Sequence, residues 1–282
     1  MKTYYYHDFS DNLVETKNQS KKVPENYKWV KKNPFYIGLG WILFQILKLV
    51  GLIYGKFALG LKIIGKRKLK IDSGYYIFAN HTQPLGDVFN PALYSVKKPY
   101  YICDSSNLGI PILGPILPLV GALPIPESIR GKKKLFDAIS YRAKSGNAII
   151  IYPEAHVWPY CTFVRPFETT AFNFPIRDNL PSFTATTIYK KRKFHKKPRT
   201  VIKIDGPFYP NYDLEKKERV RALHMEITNQ LVKRAQESNM EYIRYEKKDL
   251  IRFCERGHKR ATGTFDGAEG STRSKTSLNL FS

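Results

Sequence analysis

The residues that could do chemistry sit in two short stretches. The first is Asn80-His81-Thr82-Gln83-Pro84-Leu85-Gly86-Asp87. An imidazole titrates near neutral pH, so His81 could remove a proton from a bound hydroxyl. Asp87 could then hold the other ring nitrogen and stabilise the imidazolium that forms. A histidine and an acid in one loop also serve as plain hydrogen-bond partners. The second stretch is Tyr152-Pro153-Glu154-Ala155-His156, followed by Val157-Trp158-Pro159-Tyr160. There Glu154 reads equally well as an edge residue paired with a lysine, and His156 as a structural one.

Both stretches follow short apolar runs that read as buried strands. The candidate strands are Tyr75 to Ala79, Tyr100 to Cys103, Ala148 to Tyr152, Phe183 to Tyr189 and Thr200 to Ile204. Between the first two, Asn90 is expected to cap a helix with Pro91 at its first position and Ala92, Leu93 and Val96 on its buried side. Between the second and third, Leu135, Phe136, Ile139 and Ala143 form a helical stripe ending at Gly146. Asp213 precedes an amphipathic pattern carrying Val220, Leu223, Ile227 and Leu231, expected to cover the sheet. The alternation predicts an α/β domain over residues 71–256, with a mixed or mostly parallel sheet flanked by helices. If the strands bearing His81 and Glu154 are parallel neighbours, their carboxyl ends meet at the expected ligand crevice.

Ahead of that domain, residues 1–33 are polar, with seven lysines against four acids, and are read as an exposed lead-in without chemistry. Residues 34–70 are expected to be a membrane-associated helix or helix pair with a basic flank. On a helix at about 100° per residue, Lys48, Lys56 and Lys62 share one face, and Val50, Ile53, Tyr54, Phe57, Leu61 and Ile64 fall on the other. Lys66-Arg67-Lys68-Leu69-Lys70 follows at once, and basic residues beside an apolar element favour an anionic membrane surface. The alternatives are a core helix of a soluble domain and a spanning helix. The tail from Gly257 is rich in Gly, Ser and Thr and is expected to be disordered.

The totals agree with an anionic partner. The formal charge is +23, from 47 Lys and Arg against 24 Asp and Glu in 282 residues. Nucleic acid, an anionic membrane and a phosphorylated substrate all satisfy that charge. Three scattered cysteines, Cys103, Cys161 and Cys254, offer neither metal-like spacing nor a disulfide framework. No cleavable secretory signal is read at Met1. Lys190, Lys191, Arg192, Lys193, Lys196 and Lys197 crowd a stretch that reads as a solvated hairpin tip or a lipid-headgroup contact. Nucleic-acid binding is not expected there, since only Phe194 interleaves it. Leu108 to Pro118 is apolar but broken by prolines, which suits an irregular loop lining an acyl channel or packed on the core.

Taken together, Asn80-His81 with Asp87, then Gly121-Ala122-Leu123-Pro124-Ile125-Pro126, then Tyr152-Pro153-Glu154-Ala155, then Pro181, resemble four ordered blocks of a known family. It is the glycerolipid acyltransferases typified by 1-acylglycerol-3-phosphate acyltransferase, and the resemblance runs from about Gly74 to Pro210, including an Asp205-Gly206-Pro207 turn. It implies acyl transfer from acyl-CoA or acyl carrier protein to a hydroxyl of a lysophospholipid-like acceptor, at the cytoplasmic face of a membrane. His81 would be the general base and Asp87 its orienting partner, with Glu154, His156, Arg130, Arg165 and Pro181 as the substrate-binding set. No cofactor or metal is expected, because a thioester is already activated. The chain departs from the family's pattern in three places. Five residues separate His81 from Asp87 where the family has four. Glu127 stands where an arginine closes the second block, and Ala155-His156-Val157 replaces Gly-Thr-Arg in the third. Arg130, Lys132, Arg165 and His156 are the candidates to replace those phosphate ligands, unless the acceptor is not a phosphomonoester. A catalytically silent lipid- or acyl-binding protein on the same scaffold and a basic nucleic-acid-binding protein are the alternative functions.

Overall fold

A computed structural model describes residues 1–14 and 21–248, so the expected disordered tail lies outside the described residues. In chain order the elements are β1 (Lys2–Tyr6), α1 (Pro34–Tyr54), β2 (Lys62–Ile64), β3 (Tyr75–Ala79), α2 (Gly86–Tyr94), β4 (Pro99–Cys103), α3 (Leu113–Ile116) and β5 (Ala122–Pro124). They continue with α4 (Ile129–Lys144), β6 (Ala148–Ile151), α5 (Asn173–Asp178), β7 (Ser182–Lys190), β8 (Arg199–Phe208), α6 (Lys216–Ala235) and β9 (Ile243–Lys247).

Seven strands form one sheet in the order β2-β8-β7-β3-β6-β4-β5. Every neighbouring pair is parallel except the β7–β8 hairpin. The chain therefore has the expected mixed, mostly parallel α/β architecture. β3 lies inside the sheet and is buried along its whole length. Its side chains alternate between the faces, as a two-residue period requires. Tyr76 and Phe78 join Leu135, Ile139, Leu223 and Ile227 under α4 and α6, while Tyr75, Ile77 and Ala79 join Leu69, Tyr94 and Phe183 on the opposite face.

Several sequence expectations need correction. The helix after β3 starts at Gly86, so Asn90 and Pro91 are interior rather than capping, and Val96 lies beyond its end, 45% exposed. Residues 205–207 belong to β8 rather than to a turn. The lead-in is not simply exposed, because β1 pairs in parallel with β9 and the buried Trp29 donates from Nε1 to the Pro124 carbonyl. Residues 62–64 pair with β8 as an edge strand, so the sheet begins inside the stretch assigned to the membrane element.

α1 opens with the Asn33 side chain accepting from the Tyr36 amide and with proline at its first turn. A π-helical turn, Gly55–Leu59, carries it on to Gly60, whose positive φ ends it. The resulting 26-residue helix is long and apolar enough to cross a membrane, and only 11% of its most apolar stretch is buried. A soluble core helix would be mostly buried. It docks through glycines instead: a Cβ on Gly40 would meet the Leu119 carbonyl at 2.7 Å, and one on Gly51 would meet Phe89 at 2.9 Å. Trp41, Ile42, Ile46, Leu49 and Ile53 consequently face outward.

Candidate active site

The site is built where β3 ends. Asn80 leaves the strand, but its carboxamide donates to the Thr187 carbonyl at 2.9 Å and accepts from the Thr187 amide at 2.7 Å. The side chain thus stands in for one more backbone rung between β3 and β7, and this fixes the exit direction of the next residue. His81 is then held by its main chain on both sides. Its amide donates to Glu154 Oε2 at 2.8 Å, and its carbonyl accepts from the Trp158 amide at 3.0 Å. Thr82 and Gln83 are buried and tied to the Tyr189 hydroxyl at 2.6 and 3.0 Å.

Five intervening residues do not keep Asp87 from His81: Oδ2 lies 2.8 Å from the imidazole Nδ1. The same oxygen accepts from the Gln83 amide at 2.9 Å, and the Asp87 amide returns a bond to the Gln83 carbonyl at 2.9 Å. The additional residue is absorbed in this closed loop. Asp87 also sits in the first turn of α2, where the helix N-terminus favours a negative charge. A carboxylate can only accept, so in the neutral imidazole the proton sits on Nδ1 and the lone pair on Nε2. The His81 side chain keeps 22% exposure against 5% for Asp87, which leaves the ring reachable and its partner enclosed.

Tyr152 completes the arrangement from the end of β6. Its ring stacks on the imidazole, with centroids 4.4 Å apart and planes 24° from parallel. Its hydroxyl donates to the Asp87 carbonyl at 2.8 Å. That carbonyl would normally take the amide four residues on in the helix, but residue 91 is proline and has none. Burial, reinforced by the Asp87 charge, raises the Tyr152 pKa well above the usual phenol range, so the hydroxyl remains a donor.

Glu154 and Arg165 face each other rather than a ligand. Each side chain is 1% exposed, with Oε2 3.2 Å from Nη2. Glu154 Oε1 takes the Arg165 amide at 2.8 Å, so both carboxylate oxygens are occupied. The guanidinium lies over the Trp158 ring and donates to the carbonyls of His156 and Phe9. The pair braces the loop that holds the His81 main chain. The His156 pKa is lowered, first by burial and then by the Arg165 charge.

Of the residues singled out from sequence, His81, Asp87, Glu154, Arg165 and His156 come together around adjacent strand ends. Arg130 is exposed at the start of α4, after β5, three strands from β3 on the same carboxyl edge of the sheet. Pro181 is not part of the group. It precedes β7, where its carbonyl accepts from the Tyr76 amide, and therefore lies at the amino end of the strands, opposite His81. The sequence reading missed Tyr152 and Asn80 as supports, and it missed the lead-in, whose Phe9 and Asp11 carbonyls receive Arg165 and Trp158. Among the described residues no cluster of three His, Cys, Asp or Glu side chains is placed to hold a metal ion.

No protein-family model matches the chain, and no curated protein does. The fold is similar to the crystal structure of the 1-acyl-sn-glycerophosphate (LPA) acyltransferase, PlsC, from Thermotoga maritima, with a TM-score of 0.52 at 12% identity. The match covers 73% of this chain and 84% of that one. With a mostly parallel sheet that brings His81, Asp87 and Glu154 to one edge behind an N-terminal apolar helix, the chain has an acyltransferase-like fold.

Proposed function

We propose that the protein is a membrane-associated O-acyltransferase that moves a fatty acyl group from acyl-CoA or acyl carrier protein to the hydroxyl of a lysophospholipid-like acceptor. The observation that carries this reading is the 2.8 Å contact between His81 Nδ1 and Asp87 Oδ2 at the carboxyl edge of an acyltransferase-like sheet. His81 Nε2 takes the proton of the acceptor hydroxyl as its oxygen attacks the thioester carbonyl. The carbon–sulfur bond breaks, and the imidazolium returns the proton to the departing thiolate. Asp87 stabilises the imidazolium between those steps, and Tyr152 holds both groups in register. General-base assistance of this kind is worth roughly 10²–10⁴-fold in rate.

A lipid acceptor is supported by the surroundings of the loop. Leu85 and Val88, next to Asp87, are 56% and 38% exposed, and α2 lies on α1 through Phe89 and Gly51. The loop therefore adjoins the outward-facing apolar helix, which we take as the membrane anchor, at the cytoplasmic face where the acyl donors occur. Because Arg165 is engaged by Glu154, a phosphate on the acceptor would have to be met by other cations, with Arg130, Lys132 and His156 the remaining candidates.

Incubating the purified protein with acyl-CoA and a panel of lysophospholipids, and following free thiol with ester formation, tests the proposal. Acceptor-dependent thiol release supports it. Tight binding of donor and acceptor without turnover would favour a silent lipid-binding protein instead.

A further inference from the structure

A groove of about 550 Å³ runs along α1 on the side of the edge strand β2. Lys48 and Lys56 line it from the helix, Lys66 from the turn after β2, and Leu52, Ile63 and Leu93 supply apolar wall. The local charge is uncompensated in the sequence itself, since residues 26–71 contain no Asp or Glu. Lys68, just outside the groove, is taken by Asp205 at 2.9 Å. Among the described residues no acid forms an ion pair with Lys48, Lys56 or Lys66. Lys66 Nζ is instead drawn inward, 2.6 Å from the Leu93 carbonyl near the end of α2. Its pKa is lowered by burial and then by the Lys48 charge, so two ammonium groups repel each other across a partly apolar space.

We infer that this groove binds one phosphate-bearing glycerolipid, with the phosphate among Lys48, Lys56 and Lys66 and an acyl chain along the leucine and isoleucine wall. Lysine meets phosphate as a point charge, and an anion placed here relieves the repulsion between the ammonium groups. A soluble phosphate or a nucleic acid would leave the apolar wall unused. The groove also opens beside the outward apolar face of α1, from which a lipid would enter. Entry of the lipid from the helix face rests on the membrane reading of α1, whereas the site itself rests on neither that reading nor acyl transfer, and it replaces diffuse surface attraction by a discrete, saturable site.

The test uses the full chain with Lys48→Gln/Lys66→Gln, and with Lys216→Gln/Lys217→Gln as a charge-matched control on exposed positions of α6. Flotation is measured on phosphatidylcholine vesicles with and without phosphatidate. The groove variant should lose about tenfold to thirtyfold in affinity for phosphatidate vesicles while keeping its binding to neutral ones. The control should lose little. Separately, soluble short-chain phosphatidate should protect Lys66 from an amine-labelling reagent, read by mass spectrometry, where inorganic phosphate at the same concentration does not. This measurement needs no bilayer, so protection of Lys66 without flotation on neutral vesicles would count against the anchor and for the groove. Equal losses in both variants, or equal protection by inorganic phosphate, would overturn the lipid site.

Discussion

The Tyr152 hydroxyl donates to the main-chain carbonyl of Asp87 at 2.8 Å, taking the place of the helical amide that Pro91 lacks. One side chain therefore contacts both members of the His81–Asp87 pair, the imidazole by its ring and the aspartate by its hydroxyl. Tyr152→Phe retains the stacking and removes the hydrogen bond, which is worth about 1 kcal/mol. The expected result is a fall in kcat of about fivefold with KM unchanged, whereas Tyr152→Leu, which loses the stacking too, falls further. Steady-state kinetics on the two variants measure both effects.

Ala155 adopts a φ of 62°, a left-handed conformation that costs a non-glycine residue about 1–2 kcal/mol. Here glycine would relax the strain, offset in part by its greater freedom in the unfolded chain. Ala155→Gly should raise stability by about 1 kcal/mol in denaturant titration, with the midpoint moving up and the slope unchanged.

The Glu154–Arg165 pair is buried on both sides, so removing one partner strands the other charge. Glu154→Ala should cost about 3–5 kcal/mol of stability. It also deprives the His81 amide of its acceptor. Thermal melting should report the loss, and replacement of both residues by apolar ones of similar volume should recover much of it.

Burial and the Arg165 charge lower the His156 pKa below its ordinary 6.5. The unfolded chain therefore binds a proton in a range where the folded one does not. This contribution to stability is fully present above pH 6.5 and is lost as the pH falls toward the lowered folded value. His156→Gln should flatten the fall in melting temperature across that window.

Much of the fold was legible because its signals are local. The buried runs at 75–79 and 148–151 carry no charge, and the 220, 223, 227 and 231 stripe repeats at helical spacing; these became β3, β6 and α6. His81 and Asp87 were legible for the same reason, lying within a single loop. The outward apolar face of the helix expected at the membrane was legible too, since Val50, Ile53 and Phe57 are exposed. Large apolar residues mark the outward face of α1, whereas its docked strip is glycine, whose burial leaves no hydrophobic signal. The supports of the site were illegible because they join distant parts of the chain: Asn80 meets Thr187, and Arg165 and Trp158 meet the carbonyls of Phe9 and Asp11. Pro181 was misplaced because it came with the resemblance rather than from strand direction: it precedes β7, and parallel pairing with β3 puts that end opposite His81.

The proposed role of His81 as general base of an acyl transfer is tested most directly by the rate of acceptor-dependent thiol release by His81→Ala. Alanine keeps the main-chain bonds to Glu154 and Trp158, so the variant should fold and melt close to the unsubstituted protein. The expected rate is reduced at least about a hundredfold with donor binding retained. Turnover by a folded His81→Ala protein at the unsubstituted rate would contradict it.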